Sequence, residues 1–380
     1  MNKFFDNYKS GFDPYKLDVN AAYEFKTMSM VVRDGKVIAE SHTPRPDKSG
    51  HPSQEGNTIV NLASTSKPFT MDLLSKVMNE DKFIATLDLI KELIFRKQNK
   101  HLEENSSYKD VLIWLSKNKI SNPKSKLRAL VIGNDAGLYN WKADGFPEIV
   151  IDFKELCFNA LTLSSNSAIE IARNKLQEIL GSNVQVEFDK LQIAPTLELH
   201  SGGFKLLNQQ RANSGDLKEI VLSFDKLISS SDDRLLNAMH NNPVYFDVGV
   251  SKMIKDCDVW EKTGVAWPIN YGDSLSELGF PPHMVMGTLF SIKENDTLTS
   301  FGIFKVIAIA VPKTKDSNGF PNIYEKNYTT YINLVKYKFL KDYRRQLTDL
   351  VERNTSVKLS SSTNIGSLLK QQAMKLKMLL

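Results

Sequence analysis

The chain opens with alternating apolar and polar positions. Residues 27–40, TMSMVVRDGKVIAE, set two β-rich runs on either side of Arg33-Asp34-Gly35-Lys36. Asp-Gly is a strong tight-turn signal, so this segment predicts a hairpin. Residues 41–58 carry Pro44, Pro46, Gly50, Pro52 and Gly56 and predict a loop. From Pro68 the period becomes helical, with Phe69, Leu73, Leu74 and Val77. Proline is tolerated in a first helical turn, where its missing N–H has no intrahelical partner. Residues 64–67 therefore sit where a buried helix opens. Two further helical patterns cover about 85–97 and 108–117, and residues 119–150 are looser, with Pro123, Gly133, Gly137 and Gly145. Residues 153–181 form two helical runs broken at Ser164-Ser165-Asn166-Ser167, small polar residues that favour turns and helix starts. Residues 195–215 are loop-like, whereas 217–227 and 233–239 have helical spacing. Strand patterns return at 260–263, 284–292 and 298–311, with a turn at Asn295-Asp296 between the last two, and residues 327–353 predict a long, charged, amphipathic helix.

This order is strands, a long helical middle, strands again, then a helix. It is not a βαβ alternation, so a doubly wound parallel sheet is a poor fit. It predicts an α+β fold: one antiparallel sheet built from both chain ends and flanked by helices, with an all-helical lobe at about 70–255. Residues 1–354 are expected to form a single catalytic domain and 355–380 a basic amphipathic or disordered tail.

Composition narrows the classes. The chain has 380 residues, 41% hydrophobic and 24% charged, close to an ordinary globular protein with a sizeable core. A net charge of +5 leaves no nucleic-acid footprint. Cys157 and Cys257 form no CxxC pair, and six scattered histidines give no zinc spacing, so neither a metal nor a cofactor is expected. Two buried free thiols are expected in place of a disulfide. Asp6, Asn7, Lys9 and Ser10 interrupt any apolar run near the N-terminus, so no signal peptide is read there. No stretch reaches the roughly 18–20 apolar residues of a membrane span.

Three short elements carry candidate chemistry. Ser64-Thr65-Ser66-Lys67 is an SxxK at a helix start, where residues three apart share a face. A serine hydroxyl becomes a nucleophile when a base takes its proton, and a lysine amine serves once its pKa is lowered. Ser164-Ser165-Asn166 is an SxN opening a second helix. Ser164 there can relay a proton and Asn166 can hold a substrate amide, although a capping serine and a turn asparagine fit the same residues. Lys262-Thr263-Gly264 lies on a late strand. It offers a cation, a hydroxyl and a glycine that leaves room for substrate backbone, so a peptide can add as a strand.

SxxK, SxN and KTG in this order resemble the signature of penicillin-binding proteins and serine β-lactamases. NLASTSKPFTM, FNALTLSSNSAIEIARNKL and VWEKTGVAW are similar to the three motif segments of penicillin-binding transpeptidases. The likeness spans roughly residues 25–350. It implies Ser64 as nucleophile, Lys67 as general base and Ser164 as proton shuttle. It also implies Asn166 on the substrate amide, Lys262 and Thr263 on the substrate carboxylate, and Gly264 in the substrate-binding strand. The oxyanion hole would use the backbone N–H groups of Ser64 and of a residue near Val265 or Trp267. The implied substrate is a peptidoglycan stem peptide or a β-lactam-like small molecule, and the implied location is the cell envelope.

Several positions depart from the family pattern. Val265 follows KTG where a hydroxyl residue is usual, and Ala63 stands where glycine is common. No glutamate motif of a deacylation loop is evident between Asn166 and Lys262, with Glu198 the one candidate, which favours a peptidase over an efficient β-lactamase. An intracellular esterase or amidase and a catalytically idle binding protein are the alternatives. In the tail, Ile365, Leu368, Leu369, Leu376, Leu379 and Leu380 alternate with Lys370, Lys375 and Lys377. That pattern suits membrane-surface contact through residues 365–380, docking on the protein itself, or disorder.

Overall fold

The computed structural model describes residues 15–42, 59–85, 149–164, 166–181, 214–242, 247–266, 282–313 and 326–359. Strands β1 (Tyr23–Arg33) and β2 (Lys36–His42) form the expected hairpin, longer than residues 27–40 at both ends. Its two-residue turn puts Asp34 at φ 51° and Gly35 at φ 68°, both left-handed, as tight hairpin turns require. The same solution recurs between β8 (His283–Glu294) and β9 (Thr297–Ala308), where Asn295 and Asp296 have φ 46° and 65°. Asx side chains tolerate that region better than other non-glycine residues.

The sheet is antiparallel throughout, in the order β2-β1-β9-β8-β7, with β7 spanning Asp258–Ala266. β1, from the start of the chain, pairs with β9, from its end. β8 and β9 are buried almost throughout because each sheet face meets its own apolar layer. One layer is built on the helical middle and the other on the C-terminal helix. Strands covered on both faces read as continuous apolar runs, and that is the pattern at 284–311. The fold is α+β, with one antiparallel sheet formed from both chain ends and flanked by helices.

The central helix of the middle layer is α1 (Lys67–Val77), continuing a 3₁₀ turn at Ala63–Ser66. Next come α2 (Phe153–Cys157), a π-helical turn at Phe158–Thr162, and α3 (Asn166–Leu180). Asp152 caps α2 by accepting from the Glu155 N–H at 2.7 Å. α4 (Leu217–Ser230) lies on the sheet, capped by Asp216, and α5 (Asp233–Met239) follows, capped by Asp232. A buried polar relay fastens α4 down: Ser300 Oγ donates to Asp225 at 2.6 Å and meets Ser291 Oγ at 2.7 Å. On the opposite face α6 (Lys326–Asn354) buries Tyr328, Tyr331, Val335, Tyr343, Leu347 and Val351. Lys305, fully buried on β9, pairs there with Asp342 at 2.6 Å and with Glu24 of β1.

Two short strand pairs were not expected. β3 (Ile59–Asn61) pairs with β6 (Ser214–Asp216), and β4 (Lys82–Ala85) with β5 (Ile149–Asp152). Three or four residues are too few to show a period of two, so Ser214 and Gly215 read as loop and Ala85 read as a helix start. The helical patterns at 86–97 and 108–117, the loops at 43–58 and 119–148, and the tail at 365–380 lie outside the described residues. Cys157 and Cys257 are free thiols; the first is buried, and the second is half-buried where two buried thiols were expected. Burial pushes the Cys157 thiol up, suiting an inert core residue. No helix among the described residues is long and apolar enough to cross a membrane, and none of their His, Cys, Asp and Glu side chains cluster as a metal site would require.

Gly302 lets α4 approach the sheet: a Cβ there would lie 2.5 Å from Val221 Cγ2. Gly302→Ala is expected to destabilise the fold by about 1–3 kcal/mol through overpacking. The urea midpoint should fall with the slope unchanged.

Candidate active site

The segment that carries Ser64 is shaped by its own hydrogen bonds. Asn61, at the end of β3, accepts from the Ala63 N–H at 2.9 Å. Ala63 is held at φ 47°, a left-handed conformation that favours glycine. The chain then turns into the 3₁₀ segment: the Thr65 N–H donates to the Leu62 carbonyl at 2.9 Å, and Ser66 Oγ to the Ala63 carbonyl at 2.8 Å. The Lys67 N–H donates to the Ser64 carbonyl as α1 begins. Thr65, Ser66 and Lys67 are buried, while Ser64 is half-exposed. The opening of α1 thus leaves Ser64 half-exposed and buries Lys67 one turn on.

Ser164 comes to meet that lysine from the next helices. The π-helical turn leaves the chain at Leu163, whose N–H donates to the Phe158 carbonyl at 3.1 Å. Thr162 anchors the exit, its Oγ1 donating to the Ala238 carbonyl at 2.6 Å. Ser164 follows at φ 56°, a second left-handed non-glycine residue beside the site. Such conformations cost about 1–3 kcal/mol each and persist where the surroundings over-determine them. Lys67 Nζ donates to the Ser164 carbonyl at 2.6 Å and lies 3.4 Å from its Oγ.

Lys262 arrives from edge strand β7. It is 1% exposed, and its Nζ donates to Ser164 Oγ at 2.8 Å and to the Thr263 carbonyl at 2.9 Å. Burial draws its pKa from the ordinary lysine value down to about 7, and the Glu261 carboxylate works against that fall. The structure therefore brings Lys67, Ser164 and Lys262, read from three separate motifs, onto one hydroxyl.

Gly264 brings Ser64 to the same place. A Cβ on Gly264 would stand 3.0 Å from the Leu62 carbonyl and from the Ser64 and Thr65 nitrogens. The room left by the glycine is occupied by the turn that carries Ser64, where the sequence suggested room for substrate backbone. Thr263 meets the cluster through its carbonyl, because strand alternation sets its side chain on the opposite face with Glu261 and Val265. Val265 packs against the layer under the C-terminal helix, which accounts for an apolar residue after KTG. Asn166 is the first residue of α3, but its side chain lies outside the described residues, as do Ser165, Glu198 and Trp267.

Sequence reasoning missed the supports. Asn61 was legible in principle as a turn-forming asparagine three positions before Ser64. Glu261 stood out as an acid inside the strand pattern VWEKTGVAW. The π-helical turn has no sequence signal of its own.

No family model matches the chain, and no curated protein matches it. Among solved structures it is similar to a class A beta-lactamase from Bacteroides cellulosilyticus DSM 14838, at 12% identity and a TM-score of 0.45 over 82% of this chain and 91% of that one. It is similar to a PBP-A mutant in acyl-enzyme complex with penicillin G, at 12% identity and a TM-score of 0.42 over 82% and 91% of the two chains. It is also similar to a class A beta-lactamase from Mycobacterium abscessus, at 12% identity and a TM-score of 0.38 over 82% and 93%.

Ala63→Gly is expected to raise stability by about 0.5–1 kcal/mol, since it relieves a left-handed alanine at some cost in unfolded-chain entropy. Gly264→Ala should push the strand and the Ser64 turn apart. Both effects can be read from thermal unfolding.

Proposed function

We propose that this chain is a serine acyl-enzyme of the penicillin-binding protein and serine β-lactamase type, with residues 1–354 as its catalytic unit and D-alanyl peptides or β-lactams as substrates. The observation that carries the reading is the meeting of Lys67 and Lys262 at Ser164, beside the turn that presents Ser64.

In this reading Ser64 Oγ attacks the substrate carbonyl while neutral Lys67 takes its proton. The new C–O bond forms and the carbonyl oxygen becomes an oxyanion. The backbone N–H of Ser64, with a second donor on β7, stabilises that charge, one such donor contributing on the order of 3 kcal/mol. The proton then leaves Lys67 for Ser164 and passes to the amide nitrogen as the C–N bond breaks. The acyl group stays on Ser64 until water or an amine displaces it. The distances of 3.4 Å from Lys67 and 2.8 Å from Lys262 to Ser164 Oγ suit such a relay. Lys262 as ammonium would bind the substrate carboxylate, and Asn166 would hold its amide. Thr263 would contribute through its place on the edge strand, and Gly264 by keeping that strand against the Ser64 turn.

The test is incubation of the purified protein with a fluorescent penicillin, read as a covalent band and a mass shift. Labelling is expected in the wild type and absent in Ser64→Ala, and Lys67→Ala should slow it at least 100-fold, the usual range for loss of a general base. No labelling of folded protein would sink the penicillin-recognising reading. A fluorophosphonate probe and an ester panel would then separate a different serine hydrolase from an idle binding protein. Because an anionic substrate needs Lys262 charged, the second-order labelling constant should fall as pH rises through about 7.

A further inference from the structure

Glu261 precedes Lys262 on β7 and is 2% exposed. Strand alternation sends the two side chains to opposite faces. Lys262 points to Ser164 in the helical layer, and Glu261 points into the layer under α6. There Glu261 Oε2 accepts from the Val250 N–H at 2.7 Å and the Ser251 N–H at 2.9 Å. These amides open a single helical turn, closed by the Met253 N–H on the Val250 carbonyl at 2.8 Å and the Ile254 N–H on the same oxygen at 3.3 Å. The first amides of such a turn have no partner within it, and a carboxylate satisfies them. The Glu261 carboxyl group and the Lys262 amine therefore belong to consecutive residues, both out of water, each fixed by its own hydrogen bonds.

Burial of either charge alone would be costly, and an opposite charge nearby offsets that cost. From the helical layer Lys262 is faced by Ser164, with Lys67 behind the same serine, and on its own strand by the Thr263 carbonyl. Of these, Lys67 is titratable and the others are neutral. From α6, the buried Tyr343 hydroxyl lies close enough to feel the Glu261 charge. Burial raises the proton affinity of Glu261, against which the Val250 and Ser251 amides and Lys262 work, and it lowers that of Lys262, against which Glu261 works.

We propose that Glu261 is a positioning residue for the site. Its carboxylate, locked by the turn at Val250 and Ser251, keeps Lys262 in the charged form facing Ser164 and so sets the pH above which the site stops accepting an anionic substrate. The consequence for substrate rests on the acyl-enzyme reading; the coupling of Glu261 to Lys262 does not.

The experiment follows the Lys262 Cε signal of ¹³C-lysine-labelled full chain through a pH titration, assigned by its loss in Lys262→Arg. Gln has the shape of Glu and can accept from the same two amides, so Glu261→Gln is expected to fold. Its Lys262 midpoint should fall by about one pH unit or more, a tenfold smaller charged-to-neutral ratio at a given pH. An unmoved midpoint would overturn the proposal. Penicillin labelling run beside it should lose its alkaline limb at correspondingly lower pH in Glu261→Gln, while Glu261→Asp, which keeps the charge, should track the wild type. A wild type that takes no penicillin would sink the acyl-enzyme reading while the titration still decides the coupling. Should Glu261→Gln not fold, the wild type suffices: strongly interacting groups titrate as a pair. The Lys262 Cε curve should then inflect at the midpoint of the Glu261 Cδ curve, and independent curves would overturn the proposal.

Discussion

The site depends on holding two lysine side chains out of water at one serine. Removing an ammonium from water costs several kcal/mol, and a second ammonium beside it adds repulsion. The arrangement of lowest cost is one amine and one ammonium sharing Ser164 as their common partner. Burial draws Lys262 toward neutrality, and the Glu261 carboxylate works against that fall. A pair placed this way can hold a charge and take a proton in the same small volume.

The surrounding structure serves this constraint from three directions. The 3₁₀ turn before α1 fixes Ser64 and buries Lys67. The π-helical turn and its anchor on Ala238 deliver Ser164 in a left-handed backbone conformation. The sheet supplies Lys262 on an edge strand, and Gly264 lets that strand touch the Ser64 turn. The left-handed residues at Ala63 and Ser164 are places where local preference yields to the demands of the site. The β1–β9 pairing, the Lys305 ion pairs and the Asp225–Ser300 relay keep the sheet and its two covering layers in register, so the strain at the site is borne by the whole fold.

Much of this was legible in the residues. The Asp-Gly and Asn-Asp turns declared both hairpins, because two consecutive left-handed residues admit few side chains. Proline after SxxK placed Ser64 and Lys67 at a helix start, and the serine cluster at 164–167 broke the second helical run where the structure breaks it. The SxxK, SxN and KTG motifs picked out Lys67, Ser164 and Lys262 before any distance was known. The α+β class followed from the order of strand and helix periods, which local side-chain alternation is enough to reveal.

Other features were decided by tertiary contact. The strand pairs β3–β6 and β4–β5 are too short to carry a period, and they form because distant segments supply the partners. Gly264 reads from sequence as space for a ligand, yet the space is filled by the Ser64 turn, since only folding reveals which backbone comes near. Val265 reads as a missing hydroxyl, but its side chain belongs to the layer under the C-terminal helix. Glu261 reads as an acid in a strand, and its weight comes from two amides ten and eleven residues earlier in the chain. By itself the sequence determined which residue types could do the chemistry and which periods the backbone would follow. The tertiary structure decided which charges share a buried volume, because desolvation and proximity exist only after distant segments have packed.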